Sequence, residues 1–318
     1  MTESDRDQGP RRLLVGYDGS EGAEDAVELC RVISAPDAHV VVVDVLPYPG
    51  APSEAFRLLT SAEFPAPEDY FAPATSRLAG RQVETLTYVG DSPARVFESM
   101  AESERLELIV VGSPHLGPVG RILAGSAAEA LLHGAPVPVA TAPHGYAGAT
   151  HEGLKRIAVA YDGGEESRAA LAYAQALALE RGAALDVLTV ERPVDPVGGA
   201  IALTMSLPEN IDEIQRQALH EIDPSIELRR RRLKGETAEA LVEACGDGVD
   251  LLVIGSRGYG TIERVLLGST SAAVIAAASC PVVVVPRPSE AGRRRHRTTG
   301  VSVGAPDDGA GSGAVDAR

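Results

Sequence analysis

The sequence predicts an α/β protein with two domains in tandem, each a five-stranded parallel sheet with helices on both faces. Three observations lead to this prediction. The chain has 318 residues, which is enough for two ordinary domains. Short β-branched runs alternate with segments of helical periodicity, as in βαβ units. The same landmarks recur in the two halves at a nearly constant spacing.

The spacing of these landmarks indicates a duplicated domain. Asp18-Gly19 and Asp162-Gly163 each follow an apolar run and are 144 residues apart. Three later pairs are 143 residues apart: Gly112 and Gly255, Gly125-Ser126 and Gly268-Ser269, and Pro138 and Pro281. A drift of one residue over four separated landmarks is not expected by chance.

Apolar and β-branched runs predict the five strands of the first copy. They lie at residues 13–17, 40–46, 82–88, 106–111 and 137–141. The first helix begins behind an N-cap at Ser20 and ends at Ala35-Pro36. Its apolar stripe consists of Ala23, Ala26, Val27, Cys30 and Ile33.

Helical periodicity likewise predicts helices in the second copy. One ends near Gly182, and its stripe consists of Ala170, Leu171, Ala174 and Leu177. Another covers residues 207–222, before Asp223-Pro224, through Ile211, Ile214, Ala218 and Ile222. The last one opens at Gly268, and its stripe consists of Ala273, Val274 and Ala277.

We place the first domain at residues 11–144 and the second at residues 154–287. Residues 145–153 between them are small, which favours a flexible linker. Residues 1–10 form an N-terminal tail. Residues 288–318 are a predicted disordered tail, because they offer few large apolar side chains for burial. Its basic run at 293–297 is interpreted as solvated, with docking to nucleic acid or an acidic partner as the alternative.

Composition and charge exclude several classes of function. The formal net charge of −16 opposes binding to nucleic acid or to an anionic membrane, since both need a basic surface. The sequence lacks an apolar stretch of about 18 residues and an apolar leader, so we expect a cytoplasmic protein. Its cysteines are far apart and outside any CxxC spacing, which predicts neither a disulfide framework nor a zinc site for Cys30, Cys245 and Cys280.

A glycine-rich motif of the form G-x2-G-x9-G-S follows a predicted strand of the second copy. Gly255 and Gly258 let the backbone turn and approach a ligand without a Cβ in the way. Gly268, Ser269 and Thr270 place amide donors, two hydroxyls and a helix N-terminus in front of an anion. The carboxyl ends of parallel strands are where open α/β sheets form ligand crevices. The motif therefore favours a phosphate site, with a tight turn and a close helix–sheet contact as the alternative.

Three further residues belong to this candidate site. Asp162 ends the first strand of the copy, and a carboxylate beside phosphates is useful only if it meets sugar hydroxyls or a metal, so Mg²⁺ or Mn²⁺ is implied. Val190 ends the second strand and either contacts a base or belongs to the core. Arg257 either neutralises phosphate charge or is a solvated loop residue.

These residues resemble the ATP-binding branch of the universal stress protein family, whose motif is G-x2-G-x9-G followed by Ser or Thr. The matching positions are Gly255, Gly258, Gly268, Ser269, Asp162 and Val190. The resemblance covers residues 11–287 and implies two Rossmann-like domains of the adenine nucleotide alpha hydrolase type, with ATP bound together with a divalent metal. It also implies pairing through the last strands, which predicts an intramolecular pseudo-dimer and leaves a homodimer of chains open.

The first copy departs from this motif, so its equivalent residues are weaker candidates. They are Asp18, Val45, Gly112, His115, Gly125 and Ser126. His115 stands where the second copy has Gly258, and Pro114 before it lacks a donor N–H. Two interpretations stay open: a protonated His115 contacts a phosphate, or the first copy is a degenerate structural domain.

The sequence predicts no catalytic residues, because it contains no P-loop or HExxH motif and Lys155 and Lys234 lie outside the candidate site. The leading hypothesis is a nucleotide-dependent regulator of a stress response. Binding of ATP would set its conformation or its contact with an unidentified protein partner. The alternatives are an interaction protein without a ligand and a slow ATPase.

Overall fold

The computed structural model describes residues 10–47, 67–90, 92–113, 127–191, 208–256 and 268–287. Its ten strands in these ranges are β1 Arg12–Gly16, β2 His39–Pro47, β3 Gln82–Gly90, β4 Leu108–Gly112, β5 Val139–Ala142, β6 Arg156–Ala160, β7 Ala184–Glu191, β8 Leu228–Lys234, β9 Leu251–Gly255 and β10 Val282–Val285. The helices in the same ranges are α1 Glu21–Ile33, α2 Pro67–Arg77, α3 Pro93–Ser103, α4 Ala127–Gly134, α5 Glu165–Arg181, α6 Pro208–Glu221, α7 Thr237–Cys245 and α8 Ser269–Ala277.

The ten strands form one continuous sheet in the order β3-β2-β1-β4-β5-β10-β9-β6-β7-β8. Each half contributes five parallel strands, as the sequence predicts. The halves meet where β10 pairs antiparallel with β5, with Val283 opposite Ala140. The expected pairing of the last strands within one chain is therefore present. Because this pairing is antiparallel, the carboxyl ends of the two parallel sets lie at opposite edges of the sheet.

The central strands of the sheet are buried on both faces, and each face carries a core that runs through both halves. The first core packs α1, α2, α5 and α6 on one face through residues such as Leu29, Phe71, Leu171 and Ala218. The second core packs α3, α4, α7 and α8 on the other face. Central strands covered on both faces read as continuous apolar runs, which explains why the core is built from Val, Leu, Ile and Ala.

Most local predictions agree with the structure. The Ser20 hydroxyl caps α1 by accepting a hydrogen bond from the Ala23 amide at 3.2 Å, and Gly182 ends α5 in a left-handed conformation. The predicted strands overlap the observed ones, with ends displaced by one or two residues. The stripe predicted for α8 is wrong, because Ala273 and Ala277 are exposed. The buried residues of that helix are Ser271, Val274 and Ile275.

The segment 145–153 between the halves is not the flexible linker that the sequence favoured. The buried Asp25 carboxylate accepts hydrogen bonds from the Gly145 amide at 2.9 Å and from the Ala147 amide at 2.7 Å. The Tyr146 ring is buried and stacks on His151 with 3.8 Å between the ring centroids. Gly145 and Gly153 have φ of +79° and +112°, which favours glycine, and a Cβ at either position would meet nothing within 4 Å. These glycines therefore serve turns of the backbone, so composition alone was misleading.

Two arginines hold the carboxyl end of α1. Arg81 donates a hydrogen bond to the Ser34 hydroxyl at 2.6 Å. Arg181, from α5 of the second half, donates to the carbonyl oxygens of Ile33 at 2.5 Å and Ser34 at 2.6 Å. The last residue of α5 therefore connects the two halves on the face opposite α4 and α8.

The carboxyl of Glu180, next to Arg181 in α5, makes the stability of the chain depend on pH. Burial raises the pKa of Glu180 to about 7 from 4.5; the negative charge of Glu107 raises it too, while Arg181 and Arg11 oppose the shift. Between pH 4.5 and about pH 7 the folded chain therefore keeps a proton on Glu180 that the unfolded chain has lost. The free energy of unfolding thus falls as the pH rises through this range.

We expect Glu180→Gln to flatten this dependence and to be about 1 kcal/mol more stable than the wild type at pH 8, after allowance for solvent screening. Urea denaturation of both proteins from pH 4 to pH 8 measures the effect. If the free energy of unfolding changed equally with pH in the wild type and the variant, Glu180 would not titrate in this range.

Candidate functional site

The candidate site lies at the carboxyl edge of the parallel strands in the second half. Here β6 lies between β7 and β9: the chain continues from β6 to β7 on one side and, after β8, crosses to β9 on the other side. Such a switch point opens a crevice between two adjacent strands. Asp162 follows β6 and Gly255 ends β9, which places two sequence-predicted residues on the two sides of this crevice.

The turn after β6 is shaped by Asp162. Its Oδ1 accepts a hydrogen bond from the Gly164 amide at 2.9 Å, and Gly163 between them has a φ of +81°, which favours glycine. The buried Ser167 hydroxyl donates to the Gly164 carbonyl oxygen at 3.1 Å and accepts from the Asp162 amide at 3.3 Å. These contacts fix the turn and leave the Asp162 side chain exposed at the crevice.

Gly255 is required by packing between a helix and a strand. A Cβ at this position would lie 2.7 Å from the Glu166 carbonyl oxygen in the first turn of α5. The Ser271 hydroxyl donates to the Gly255 carbonyl oxygen at 3.3 Å and ties α8 to the end of β9. The close helix–sheet contact, which was the alternative interpretation of the glycines, therefore explains this one.

The amino end of α8 carries amide donors that the helix itself does not use. Gly268 is the N-cap and makes no side-chain cap, and the first bond within the helix runs from the Ala272 amide to the Gly268 carbonyl oxygen at 3.0 Å. The amides of Ser269, Thr270 and Ser271 therefore have no acceptor inside the helix. An anion placed there would gain these donors and the positive end of the helix dipole.

Ser256 adds a second polar feature, one that sequence reasoning missed. The residue directly follows β9 and is 1% exposed, and its hydroxyl has no hydrogen-bond partner among the described residues. Its backbone amide donates to the Val285 carbonyl oxygen at 2.9 Å, which anchors the start of the motif loop to β10. A buried hydroxyl without a partner is costly, which makes Ser256 a candidate ligand-binding residue.

The charges around the crevice are balanced by an arginine that the sequence analysis did not select. Arg287, just past β10, donates a hydrogen bond to Glu165 at 2.7 Å and lies 3.8 Å from Glu166. Two carboxylates in the first turn of α5 would otherwise repel a phosphate. Among the described residues no group of three or more His, Cys, Asp or Glu side chains could hold a metal ion.

Val190 lies near the end of β7, as predicted, and is partly buried against the second core. In the pairing of β6 with β7, Leu188 lies opposite Ala160, so Val190 and Asp162 each lie two residues beyond the last pair. Both roles considered for it, contact with a base and support of the core, use the same apolar side chain.

Comparison with known proteins identifies the family. The model of the universal stress protein family matches residues 9–143 and again residues 153–286. The chain belongs to the universal stress protein family. A universal stress protein of Mycolicibacterium smegmatis is 29% identical over 287 residues, which cover 86% of this chain and 96% of that protein.

A relative from Thermus aquaticus, described as a universal stress protein in the QAH/OAS sulfhydrylase 3′ region, is 34% identical over 135 residues; these cover 42% of this chain and 98% of that protein. The crystal structure of a universal stress protein from Archaeoglobus fulgidus DSM 4304 is similar with a TM-score of 0.63 and 21% identity, over 86% of this chain and 96% of that one. The likeness supports a tandem universal stress protein fold.

The crevice of the first universal stress domain contains side chains that the second domain lacks at the equivalent positions. The strand register aligns Asp44 of β2 with Thr189 of β7, and Val45 with Val190. The buried Asp44 carboxylate accepts a hydrogen bond from Tyr70 of α2, and burial together with the charge of Asp18 raises its pKa above the usual range. An extra buried carboxylate therefore stands where the second domain has a neutral hydroxyl.

Aromatic side chains of α2 cover the same edge of the first domain. A Cβ at Gly19 would lie 3.5 Å from the Tyr70 ring, and Tyr70 packs on Phe71 with 4.9 Å between ring centroids. The Asp18 carboxylate accepts hydrogen bonds from the Ser20 amide at 3.0 Å and the Ser20 hydroxyl at 2.5 Å. Asp18 is thus engaged in its own turn, as Asp162 is in the second domain.

Of the remaining residues predicted for the site, some are described by the structure and others lie outside the described ranges. Gly112 ends β4, and a Cβ there would lie 2.4 Å from the Gly22 carbonyl oxygen, the same packing requirement as at Gly255. The residues that lie outside the described ranges are Arg257, Gly258, His115, Gly125 and Ser126. Residues 1–9 of the predicted N-terminal tail and the whole predicted tail at 288–318 also lie outside the described ranges. None of the described helices is long and apolar enough to cross a membrane.

Proposed function

We propose that the second universal stress domain binds ATP together with Mg²⁺ or Mn²⁺ and that the bound nucleotide regulates contact with a protein partner in a stress response. The observation that carries this proposal is the amino end of α8 at the carboxyl edge of the sheet, which has no side-chain cap among the described residues. The buried Ser256 hydroxyl, directly after β9, also has no hydrogen-bond partner among the described residues. Helix amides at a switch point fit an anionic ligand.

The described residues support distinct parts of such a ligand. The amides of Ser269 and Thr270 suit the phosphates, and the exposed Asp162 suits ribose hydroxyls or the cation. Val190 offers an apolar surface for the base. Since the described residues form no metal cluster of their own, the divalent ion would be held by phosphate oxygens as well as by protein.

We infer that each chain binds one nucleotide, in the second domain. In the first domain Asp44 adds negative charge beside Asp18, and Tyr70 lies against Gly19. Binding of a triphosphate next to two carboxylates is disfavoured unless cations neutralise the negative charge of all three groups. Denaturing the purified chain and identifying the released nucleotide gives the stoichiometry. A chain that carries no nucleotide and gives no calorimetric heat with Mg-ATP would overturn the proposal in favour of an interaction protein without a ligand.

The duplicated architecture offers a matched pair of variants. We expect Asp162→Ala to weaken Mg-ATP binding about tenfold, because it removes a charged partner of the sugar or cation. Asp18→Ala removes the equivalent carboxylate of the first domain and should leave the affinity within about twofold. Isothermal titration calorimetry on both variants decides the matter, and equal losses would contradict assignment to the second domain.

Substitutions at Ser269 separate its amide from its hydroxyl. Proline is tolerated at the first position of a helix, and Gly268 before it has the extended conformation that proline requires, with ψ of 150°. Ser269→Pro removes the amide donor and should weaken binding about fivefold more than Ser269→Ala, which removes the hydroxyl alone. Circular dichroism checks that α8 is retained. Equal affinities of the two variants would exclude the amide as a phosphate ligand.

A further inference from the structure

The fold brings two cysteines into contact that are distant in the sequence. Cys245 is the last residue of α7, and Cys280 lies just before β10. Both side chains are 5% exposed and belong to the second core, and their thiols share a hydrogen bond. All three cysteines of the chain are free thiols.

A cavity gives solvent access to this pair. It has a volume of about 270 Å³ and lies beside the segment that joins the two domains. Cys280 lines it, together with the exposed residues His144 and Ser279 at its margin. A molecule the size of a small peroxide can therefore reach Cys280, one member of the pair, from solvent.

The contact between the thiols makes one of them more acidic than the other. The hydrogen bond from Cys280 lowers the pKa of Cys245, and the same bond together with burial raises the pKa of Cys280. Cys30 has no thiol neighbour, and burial raises its pKa to about 12. Since the thiolate is the nucleophile, the chain contains a reactive pair and an unreactive internal reference.

We propose that Cys245 and Cys280 form a redox-active thiol pair that a hydroperoxide converts to an intramolecular disulfide. One sulfur of the pair attacks the peroxide as its thiolate, so an S–O bond forms while the O–O bond breaks and an alcohol or water leaves. The second sulfur then attacks the first, the S–O bond breaks, and the hydroxide leaves as water with the proton of the second thiol. The pair loses two electrons and the peroxide gains two.

Oxidation would constrain the part of the chain that carries the glycine-rich motif. The loop closed by this bond runs from the end of α7 through β9 and α8 to β10, and therefore includes Ser256 and Gly268. Both cysteines lie at the ends of elements, where small backbone shifts can bring the sulfurs to the bonding distance of about 2.05 Å. Because β10 pairs with β5, the bond also acts next to the junction of the two domains.

The test uses the full-length native protein and hydrogen peroxide. After exposure, the chain is denatured, its free thiols are alkylated with N-ethylmaleimide, and intact and peptide masses are measured. We expect one alkylated thiol, at Cys30, and a linked pair of peptides containing Cys245 and Cys280. The pair should be consumed at least about tenfold faster than Cys30, because Cys280 lines the cavity whereas Cys30 is fully buried.

Variants make the result specific. Cys30→Ser should leave formation of the linked peptides unchanged, whereas Cys245→Ser or Cys280→Ser should abolish it. The wild-type measurement alone tests the proposal if a variant does not fold. Three alkylated thiols after exposure, or loss of Cys30 at the same rate as the pair, would overturn it. A bond found only between different chains would overturn it as well.

Discussion

Alanine at Gly112 or at Gly255 is expected to lower the free energy of unfolding by about 3 kcal/mol, the largest effect we predict for a single added methyl group. The new Cβ would lie 2.4 Å from the Gly22 carbonyl oxygen or 2.7 Å from the Glu166 carbonyl oxygen. Both obstacles are backbone atoms in the first turn of a helix, so no side-chain rotation relieves the clash. Urea denaturation without nucleotide measures the loss.

Gly148→Ala is the control for this pair, because a Cβ there would meet nothing within 4 Å. It should change stability by less than about 0.5 kcal/mol. If Gly255→Ala is as stable as the wild type and only nucleotide binding is lost, the glycine serves the ligand and not the contact between β9 and α5.

Arg181→Met is expected to destabilise the chain by about 2–4 kcal/mol. The substitution keeps much of the apolar stem but removes the guanidinium that donates to the carbonyl oxygens of Ile33 and Ser34. These oxygens end α1, where they have no partner in their own helix, and they belong to the other domain. Thermal and chemical denaturation measure the change.

The same helix supplies the control. Arg168 forms an exposed ion pair with Glu221 at 3.6 Å, and its side chain is 48% exposed. Arg168→Met should therefore cost less than about 0.5 kcal/mol. Equal effects of the two substitutions would contradict a special role for Arg181 at the junction of the domains.

Much of the fold could be predicted because it depends on local pattern. The alternation of apolar runs and helical stripes, the Ser20 cap and the stop at Gly182 all appear in the structure. Prediction failed for α8, whose residues are so uniformly small and apolar that periodicity does not distinguish the buried Ile275 from the exposed Ala277. It failed for 145–153 because glycines occur both in flexible linkers and in ordered turns such as those at Gly145 and Gly153.

For the candidate site, the sequence located the ends of the strands and the start of α8, but it did not identify what surrounds them. Asp44 and Tyr70 come from different elements, and only the packing of α2 on the sheet brings them to the first crevice. The pairing of Arg287 with Glu165 depends in the same way on β10 lying near α5. Contacts between distant segments leave no periodic signal in one sequence.

By itself the sequence determined the duplication, the five parallel strands of each domain and the glycine-rich motif with Asp162, since each of these follows from residue types at regular spacing. Only the tertiary structure decided that β5 and β10 join the halves into one sheet, that Gly255 makes room for a helix and that Cys245 touches Cys280. The physical reason is that these features are set by the distance between segments far apart in the chain, which is fixed when the two cores pack.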